Sequence, residues 1–386
     1  MNAYEVAATH RDEFLDSLKT LLRMPSISAL SSHEAEVLRT ARWLVEHLEQ
    51  IGMTRAELFP TGGHPIVYAE WMGAPGAPTV LIYGHYDVQP VDDEGAPEKW
   101  RTPPFEPVVQ NGNLYGRGTS DDKAQFFCHL KAAESLLKAT GKLPVNLKFL
   151  IEGEEEISSM HLHPFIEAHQ EMLKADTCLI SDSHMLASDR PVIAYALRGL
   201  LFTEIEVDGP KTELHSGIYG GVVHNPVQAL CEIIAGLHKA DGSVDVPGFY
   251  DQVRLLSPEE RAALAEVPWT DEEFRHETGV PAPWGEADFT LRERVGARPT
   301  LEVNGMIGGF TGEGPKTVLP ARARAKISCR LVADQNPVQM FERLRERVRQ
   351  LTPPTVTSEI RMLSSGDPAI VELNSPAMEA ASRAYQ

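Results

Sequence analysis

Residues 79–90 of the sequence read TVLIYGHYDVQP. An apolar run of strand-forming residues ends there in His85, and Asp87 follows two residues later. Open α/β sheets place their ligand sites just beyond the carboxyl ends of the strands, and alternation along an extended chain points both side chains the same way. A metal-binding histidine usually donates its other ring nitrogen to a carboxylate, which Asp87 could supply. Such a pair standing alone is more often structural.

A second run, LYGRGTSDDKAQ at 114–125, places Asp121 and Asp122 between a glycine-rich turn and a predicted helix. Capping by Ser120 or by one aspartate explains one carboxylate at the start of that helix. Capping does not obviously explain both carboxylates. The second aspartate could serve as a carboxylate that bridges two cations.

Two further apolar runs end in acids. The run VNLKFLIEGEEEISS at 145–159 ends in four of them, namely Glu152, Glu154, Glu155 and Glu156. These carboxylates repel one another unless cations or water take up the charge, and a solvated loop is the alternative. The run DTCLISDSH at 176–184 ends in Asp182. By itself, one acid at a strand end is weak support for a site.

The four runs together indicate more than any one of them, because each delivers His, Asp or Glu toward one edge of a sheet. Nitrogen and oxygen ligands without thiolate suit a hydrolytic zinc, manganese or cobalt ion rather than a structural zinc site. Two cations about 3.5–4 Å apart that share a carboxylate would activate one water and polarise a carbonyl. The pattern therefore predicts a metal-dependent hydrolase.

The periodicity of the chain predicts an α/β fold with two domains, as its 386 residues also suggest. Strands alternating with helices up to about residue 190 imply a mostly parallel sheet covered by helices. After Pro191 an α+β pattern follows, which we expect to be an inserted domain from about 198 to 361. The predicted strands are Ile66–Trp71, Thr79–Tyr83, Val145–Ile151, Thr177–Ile180, Val192–Tyr195, Leu200–Val207, Leu301–Val303 and Ala323–Val332. The predicted helices are Arg11–Met24, Ser32–Ile51, Lys123–Lys138, Pro164–Lys174, Val227–His238 and Pro337–Leu351.

Composition excludes several classes of function. The net charge of −19 argues against nucleic acid as a partner, since that affinity rests on basic patches. No apolar run reaches the length of a membrane span and no basic, apolar leader begins the chain, so we expect a cytoplasmic protein. Four scattered cysteines fit neither a disulfide framework nor a zinc knot. Neither a P-loop nor a serine-hydrolase elbow is present.

The runs GHYDVQP, YGRGTSDDK, EGEEE, ISD and LHSGIYGG resemble the signature runs of the M20 metallopeptidase family, in its carnosinase-like, cytosolic non-specific dipeptidase branch. The resemblance is collinear along the chain. It implies a zinc exopeptidase-like catalytic domain over residues 1–197 and an inserted lid and dimerisation domain over 198–361. Residues 362–386 would begin the C-terminal part of the catalytic domain.

The resemblance also implies roles for the acidic runs. His85 and Asp182 hold one metal, Glu156 belongs to a second, and Asp121 bridges the two. Asp87 orients His85. Glu155 is the general base that passes a proton to the leaving amine.

In the inserted domain, the resemblance implies that His215 reaches across a homodimer to stabilise the oxyanion. Arg330 in ISCRLV and Thr317 in GPKTVLP would hold the carboxylate of a small peptide substrate. A salt bridge on a strand face is the alternative for Arg330.

One departure from the family pattern affects these expectations. The family carries another metal-binding histidine near its C-terminus, and no histidine follows His276 here. We therefore expect an incomplete second metal site, and a shortened chain or fragment. The alternatives to a dipeptidase are an N-acyl amino acid deacylase of the same family and a catalytically silent dimeric binding protein.

Overall fold

The computed structural model describes residues 1–91, 100–187, 189–267 and 269–385. The chain forms two compact units, Met1–Val192 and Ile193–Gln386. The first unit contains the predicted α/β sheet and the second the α+β pattern. The division into a catalytic part, a lid and a returning catalytic segment stays a prediction.

The helices of the first unit are α1 (Ala3–Thr9), α2 (Arg11–Leu22), α3 (Glu34–Gln50), α4 (Lys123–Thr140), α5 (Leu162–Ala168) and α6 (Gln170–Leu173). Its strands are β1 (Arg55–Phe59), β2 (Ile66–Trp71), β3 (Thr79–His85), β4 (Val108–Gln110), β5 (Asn113–Tyr115), β6 (Asn146–Glu152) and β7 (Thr177–Ile180).

Five of these strands form a sheet in the order β1-β2-β6-β3-β7. Strand β3 runs parallel to both β6 and β7, whereas β1 with β2 and β2 with β6 are antiparallel. The expected α/β sheet with parallel strands is confirmed, and the first two strands make it mixed. Because β3, β6 and β7 are parallel, their carboxyl ends meet at one edge.

Helices cover both faces of this sheet. On one face, apolar residues of α3 and α4 pack with Phe149 and Ile151 of β6 in a fully buried cluster. On the other face, Leu150 packs with Phe165 of α5 and Leu173 of α6. All seven residues of β6 are buried, as expected for a central strand covered on both sides. This packing holds β6 in place, and with it the strand end that carries the acidic residues.

The helices of the second unit are α7 (Ser216–Tyr219), α8 (Pro226–Ala235), α9 (Pro258–Ala265), α10 (Asp271–Thr278), α11 (Leu291–Gly296), α12 (Pro337–Leu351) and α13 (Pro376–Tyr385). Its strands are β8 (Ala196–Leu197), β9 (Gly199–Asp208), β10 (Leu214–His215), β11 (Thr300–Gly308), β12 (Val318–Leu319), β13 (Arg322–Leu331), β14 (Thr357–Gly366) and β15 (Ala369–Ile370).

The main sheet of the second unit is antiparallel, in the order β11-β13-β9-β14. Apolar side chains of α8 and α12 pack on one face, among them Ile233 and Leu344 against Ile205 and Ile327. Charged side chains line the opposite face. One buried and one polar face is the usual arrangement for an antiparallel sheet.

Two predicted elements do not form as predicted, whereas others differ only in their bounds. The stretch Val192–Tyr195 does not form a strand, because strand pairing begins only at Ala196, where β15 supplies a partner. The predicted helix Pro164–Lys174 is divided at His169, whose backbone leaves the helical region at φ −124° and ψ 26°. The ring of His169 stacks on Phe165 instead. Among the described residues, no helix has the length and apolar character to cross a membrane.

Candidate metal centre

The predicted site lies at the edge where three parallel strands end. His85 is the last residue of β3 and pairs in register with Glu152 of β6. Asp182 follows two residues after the end of β7. Asp121 lies just before α4. Residues far apart in sequence are thus collected at one sheet edge by strand order.

Three of the predicted ligands meet there. His85, Asp121 and Asp182 each offer one ligand atom, and these atoms lie within 4.8 Å of one another. The Nε2 atom of His85 is 3.0 Å from Oδ1 of Asp121 and 3.7 Å from Oδ2 of Asp182. The histidine is fully buried, whereas the side chain of Asp121 is 61% exposed. One imidazole and two carboxylates with an open side form a donor set that suits a catalytic divalent cation.

Asp87 is fully buried behind His85. Nδ1 of His85 lies 3.1 Å from the backbone oxygen of Asp87 and 3.3 Å from its Oδ1. If Nδ1 donates its hydrogen there, the lone pair of Nε2 is available to a cation that the two ligand carboxylates would share. Asp87 thus lies where it could orient His85, and that role stays a prediction.

The same carboxylate also holds the acidic turn after β6. Oδ1 of Asp87 accepts the backbone N–H of Glu155 at 3.2 Å, and Oδ2 accepts that of Glu156 at 3.1 Å. The hydroxyl of Ser28 donates to Oδ2 at 2.7 Å. One side chain therefore orients the histidine and both glutamates, which residue spacing did not reveal.

The electrostatics of the centre favour a cation. Burial alone would lower the pKa of His85, but the carboxylates of Asp182 and Asp87 raise it to about 11. Burial, together with neighbouring acids, raises the pKa of both Glu155 and Glu156. Crowded carboxylates that resist ionisation are stabilised by a bound positive ion.

Glu155 and Glu156 lie in a short 3-10 turn, Glu155–Ile157. The amide of Gln89 donates to Oε2 of Glu156 at 2.8 Å, which fixes that carboxylate. The carboxylate of Glu155 forms no hydrogen bond with any other described residue. An unengaged carboxylate beside the ligand cluster is free to exchange a proton.

Glu154 is different from its two neighbours. Its buried carboxylate accepts the backbone N–H of His64 at 2.9 Å, and Nδ1 of His161 lies 2.8 Å from Oε2. Gly63 permits this approach, since a Cβ there would lie 1.8 Å from Oε1 of Glu154. Glu154 thus fastens the turn to the rest of the unit.

The sequence predicted no role for the buried Asp122 beyond helix capping. Its Oδ2 accepts the backbone N–H of His85 at 3.0 Å, and its Oδ1 has no hydrogen-bond partner among the described residues. Burial is the main cause that raises the pKa of Asp122 to about 7. The Asp121–Asp122 peptide bond is cis. Gly84 leaves space for this carboxylate, because a Cβ at that position would lie 2.7 Å from Oδ2 of Asp122. A glycine directly before a histidine at a strand end is the sequence signal that could have indicated such a close contact.

Lys123 ties this corner to α2. Its fully buried ammonium donates to the backbone oxygen of Met24 at 2.7 Å and to that of Leu21 at 3.3 Å. Burial lowers the pKa of Lys123 to about 7. The ammonium satisfies carbonyls at the end of α2 and so fixes the start of α4 beside Asp121.

The remaining predicted residues lie in the second unit. His215 lies on β10 and pairs with Val318 of β12, and Thr317 comes just before that strand, with 3.2 Å between Nε2 of His215 and Oγ1 of Thr317. Nδ1 of His215 accepts the backbone N–H of Gly217 at 3.0 Å. Arg330 lies on β13 with its side chain exposed.

Comparison with known proteins assigns the chain to a family. The model of Peptidase family M20/M25/M40 matches residues 81–386. The chain belongs to this family. It is 34% identical to the Cys-Gly metallodipeptidase dug1 of Schizosaccharomyces pombe, over 90% of this chain and 75% of that protein. It is 31% identical to the human Beta-Ala-His dipeptidase, over 85% of this chain and 67% of that protein.

Among solved structures, an M20 family metallo-carboxypeptidase of Sulfolobus solfataricus, Sso-CP2, is 36% identical with a TM-score of 0.84, covering 97% of this chain and 84% of that one. The resemblance to the carnosinase-like M20 branch and the predicted fold class are confirmed by these relatives.

Proposed function

We propose that this M20 peptidase hydrolyses dipeptides or short peptides in a metal-dependent reaction. The observation that supports this best is the convergence of His85, Asp121 and Asp182 within 4.8 Å, beside the unengaged carboxylate of Glu155. Relatives of the same branch are named for the hydrolysis of Cys-Gly and of Beta-Ala-His. These two dipeptides are the natural first substrates to test.

The residues that would hold the metal are His85, Asp121 and Asp182, with Glu156 as ligand of a second cation and Asp121 shared between the two. Bound divalent cations supply Lewis acidity, which polarises a carbonyl and lowers the pKa of a water molecule. Zinc is the cation we favour for imidazole and carboxylate donors, with manganese and cobalt as alternatives.

Glu155 acts in this proposal as the general base. Its carboxylate takes a proton from the attacking water and returns it to the nitrogen of the leaving amine. This requires a carboxylate that is near the ligand cluster and is not itself a ligand. The backbone hydrogen bond to Asp87 holds Glu155 in place, and Glu156 is separately held by Gln89.

His215, Thr317 and Arg330 would act on the substrate. His215 donates a hydrogen bond to the developing oxyanion, in a homodimer where it serves the partner subunit's site. The hydroxyl of Thr317, which lies 3.2 Å from Nε2 of His215, helps to bind the substrate carboxylate. Arg330 binds the substrate carboxylate. A cytoplasmic location accords with this activity.

The test uses chelated protein reloaded with zinc, manganese or cobalt, assayed with Cys-Gly, Beta-Ala-His and an N-acetyl amino acid. We expect hydrolysis of a dipeptide that disappears with the chelator and returns with one of the metals. Glu155→Gln should bind the same amount of metal and lack the activity. Hydrolysis of the N-acetyl amino acid alone would support the deacylase. No hydrolysis of any substrate, with fewer than two metals per chain, would support a binding protein.

A further inference from the structure

The position of Asp182 depends on more than its strand. Strand β7 pairs with β3 only from Thr177 to Ile180, so Asp182 lies two residues beyond the last paired residue. The backbone N–H of Ser183 donates to the backbone oxygen of Ser181 at 2.7 Å, and Asp182 stands at the centre of this tight turn. The sheet therefore brings the chain to the metal centre, but it does not fix the turn that carries this ligand.

The turn also places two like charges close together. Oδ1 of Asp121 and Oδ2 of Asp182 lie beside Nε2 of His85, at 3.0 Å and 3.7 Å from it. Carboxylates at such short range repel each other. Contacts from outside the ligand set that restrain both acids would lower the cost of bringing them to one cation.

Helix α4 supplies such contacts from two residues. Gln125 and His129 are four positions apart on this helix, so their side chains lie on the same face. Oε1 of Gln125 accepts the backbone N–H of Ser183 at 3.4 Å. Nε2 of His129 lies 3.0 Å from Oγ of Ser181. The residues on either side of Asp182 are therefore both joined to α4.

The amide of Gln125 also reaches the segment that carries Asp121. Its Nε2 donates to the backbone oxygen of Ser120, which is the residue directly before that ligand. One side chain thus links the neighbours of two ligands that lie far apart in sequence. An amide suits this role because it has both a donor and an acceptor, and because it adds no charge to the crowded acids.

His129 is suited to its contact for a similar reason. Burial lowers the pKa of its half-buried ring, which keeps the imidazole neutral. A neutral imidazole can form a hydrogen bond with the hydroxyl of Ser181 in either direction, and it brings no positive charge that would compete with a cation. The competing interpretation is structural, namely that both side chains only help α4 to pack against the end of β7.

We propose that Gln125 and His129 are positioning residues that hold Asp182 beside Asp121 and so prepare both acids for one cation. Neither residue binds the cation itself, because each acts through an atom of a residue next to a ligand. The inference rests on the proposed function, since that function needs the metal centre. Outer contacts that orient metal ligands usually contribute about 10- to 100-fold to metal affinity.

The experiment compares the zinc affinity of wild-type protein with that of Gln125→Met and His129→Phe, by competition with a chromophoric chelator. Both substitutions keep the approximate size of the side chain and remove its hydrogen bonds. We expect each to weaken zinc binding about 10-fold, the lower end of the usual effect. His129→Gln should recover most of the loss, because its amide nitrogen can take the place of Nε2 toward Ser181.

Cobalt gives a second readout, because the visible absorption bands of bound cobalt depend on the geometry of its ligands. A displaced Asp182 should change the position or intensity of these bands in Gln125→Met and in His129→Phe. A merely structural role for the two residues would leave the spectrum as it is in wild type. A change in one variant alone would confine the positioning role to that residue.

Thr140→Val is the matched control. Thr140 lies at the other end of α4, where its hydroxyl is 2.8 Å from the backbone oxygen of Leu136 and 2.7 Å from that of Lys142. The substitution removes contacts between a side chain and the backbone from the same helix, and it should leave zinc affinity and the cobalt spectrum unchanged. If Gln125→Met and His129→Phe lower stability as Thr140→Val does, but keep the wild-type affinity and spectrum, the inference is wrong.

The two proposals fail in different ways. Dipeptide hydrolysis by wild type, with unchanged zinc affinity and cobalt spectra in both variants, overturns the role of α4 and leaves the dipeptidase standing. If wild type binds zinc but hydrolyses no dipeptide, only the proposed function fails, since zinc affinity still tests α4.

If wild type binds no divalent cation, the proposed function fails, and hydrogen exchange of residues 181–184 in metal-free protein decides the question for α4. Faster exchange in Gln125→Met and His129→Phe than in wild type and Thr140→Val supports positioning by α4. Equal exchange in all four proteins overturns it.

Discussion

The buried carboxylate of Asp87 and the backbone N–H of Glu155 are joined by a 3.2 Å hydrogen bond. The other oxygen of this carboxylate accepts the next N–H, that of Glu156. The ring of His85 lies against the same side chain. The geometry of a histidine on one strand and of two glutamates after another therefore depends on a single aspartate.

Asp87→Asn should weaken metal binding about 10- to 100-fold, the usual effect of losing a carboxylate that orients a metal-binding histidine. The amide keeps one acceptor and loses the charge that supports His85 and the two N–H groups. Competition with a chromophoric chelator measures the affinity. Ser28→Ala is the control, because it removes only a donor to the same carboxylate, and its effect should be smaller. Unchanged affinity in Asp87→Asn would contradict the assignment.

Glu154 and Glu155 are neighbours in the acidic turn and should have distinct roles. Glu155→Gln should lower kcat about 10²- to 10⁴-fold, the contribution of a general base, at unchanged metal content. Glu154→Gln should instead lower the free energy of unfolding by about 1–3 kcal/mol, because buried N–H groups lose a charged acceptor. Steady-state kinetics and urea unfolding on both variants separate the roles. A large loss of kcat in Glu154→Gln with normal stability would instead assign the general base to Glu154.

Divalent cations should stabilise the protein strongly. The crowded acids around His85 repel one another without a cation, and binding to the folded state alone adds about 4 kcal/mol at a thousandfold excess over the dissociation constant. Thermal unfolding in chelator and in zinc, manganese or cobalt measures this. Asp182→Asn should reduce the shift. A melting temperature indifferent to chelator would speak against the centre.

Stability should fall in acid because of His47. Nε2 of this buried ring accepts a hydrogen bond from Lys131 at 2.8 Å, and the ring stacks on Trp43. Burial, then the charge of Lys131, lowers the pKa of His47 to about 4. Below pH 6.5 or so, which is about the pKa of this histidine in the unfolded chain, the unfolded chain binds a proton and the folded chain does not. Stability is therefore lost as the pH falls from about 6.5 to about 4, by up to about 3 kcal/mol.

Urea unfolding of wild type and His47→Gln at pH 7 and pH 4.5 measures this loss. Glutamine can still accept from Lys131 and does not titrate, so the variant should lose less stability between the two pH values. Equal losses would assign the acid sensitivity to other groups.

Much of the fold follows from local patterns in the chain. Helix α12 has the bounds that its apolar spacing predicts, Pro337–Leu351. Strand β9 differs from its prediction by one residue at each end. The sequence does not predict strand β1, because its residues RAELF lie on an edge, are mostly half-buried and carry no strong strand pattern. Pairing with β2, which the chain acquires only on folding, makes it a strand.

Part of the candidate site also follows from local sequence patterns, and part does not. His85, Asp121 and Asp182 are brought together because strand ends in a parallel sheet share an edge, which the pattern of apolar runs predicts. The contacts of Asp87 with Ser28 and with the backbone of Glu156 join residues 59 and 69 positions apart. Long-range contacts to backbone N–H groups leave no mark in local sequence. These contacts are visible only in the three-dimensional structure.

On the charged face of the main sheet of the second unit, Arg322 forms an ion pair with Asp208 and Arg324 forms one with Glu206. This ladder of cross-strand pairs restricts which substitutions the sheet accepts. A slip of β13 by one residue would turn its charged side chains toward the apolar core, so each rung holds the strand in its place along β9. Reversing one charge, as in Arg324→Glu, sets two acids against each other, whereas exchanging it together with Glu206 restores the pair. Substitutions on this face are therefore tolerated in matched couples. Arg330 stands opposite Leu200 and Thr300, neither of them acidic, and forms no ion pair among the described residues, so it is free of that coupling.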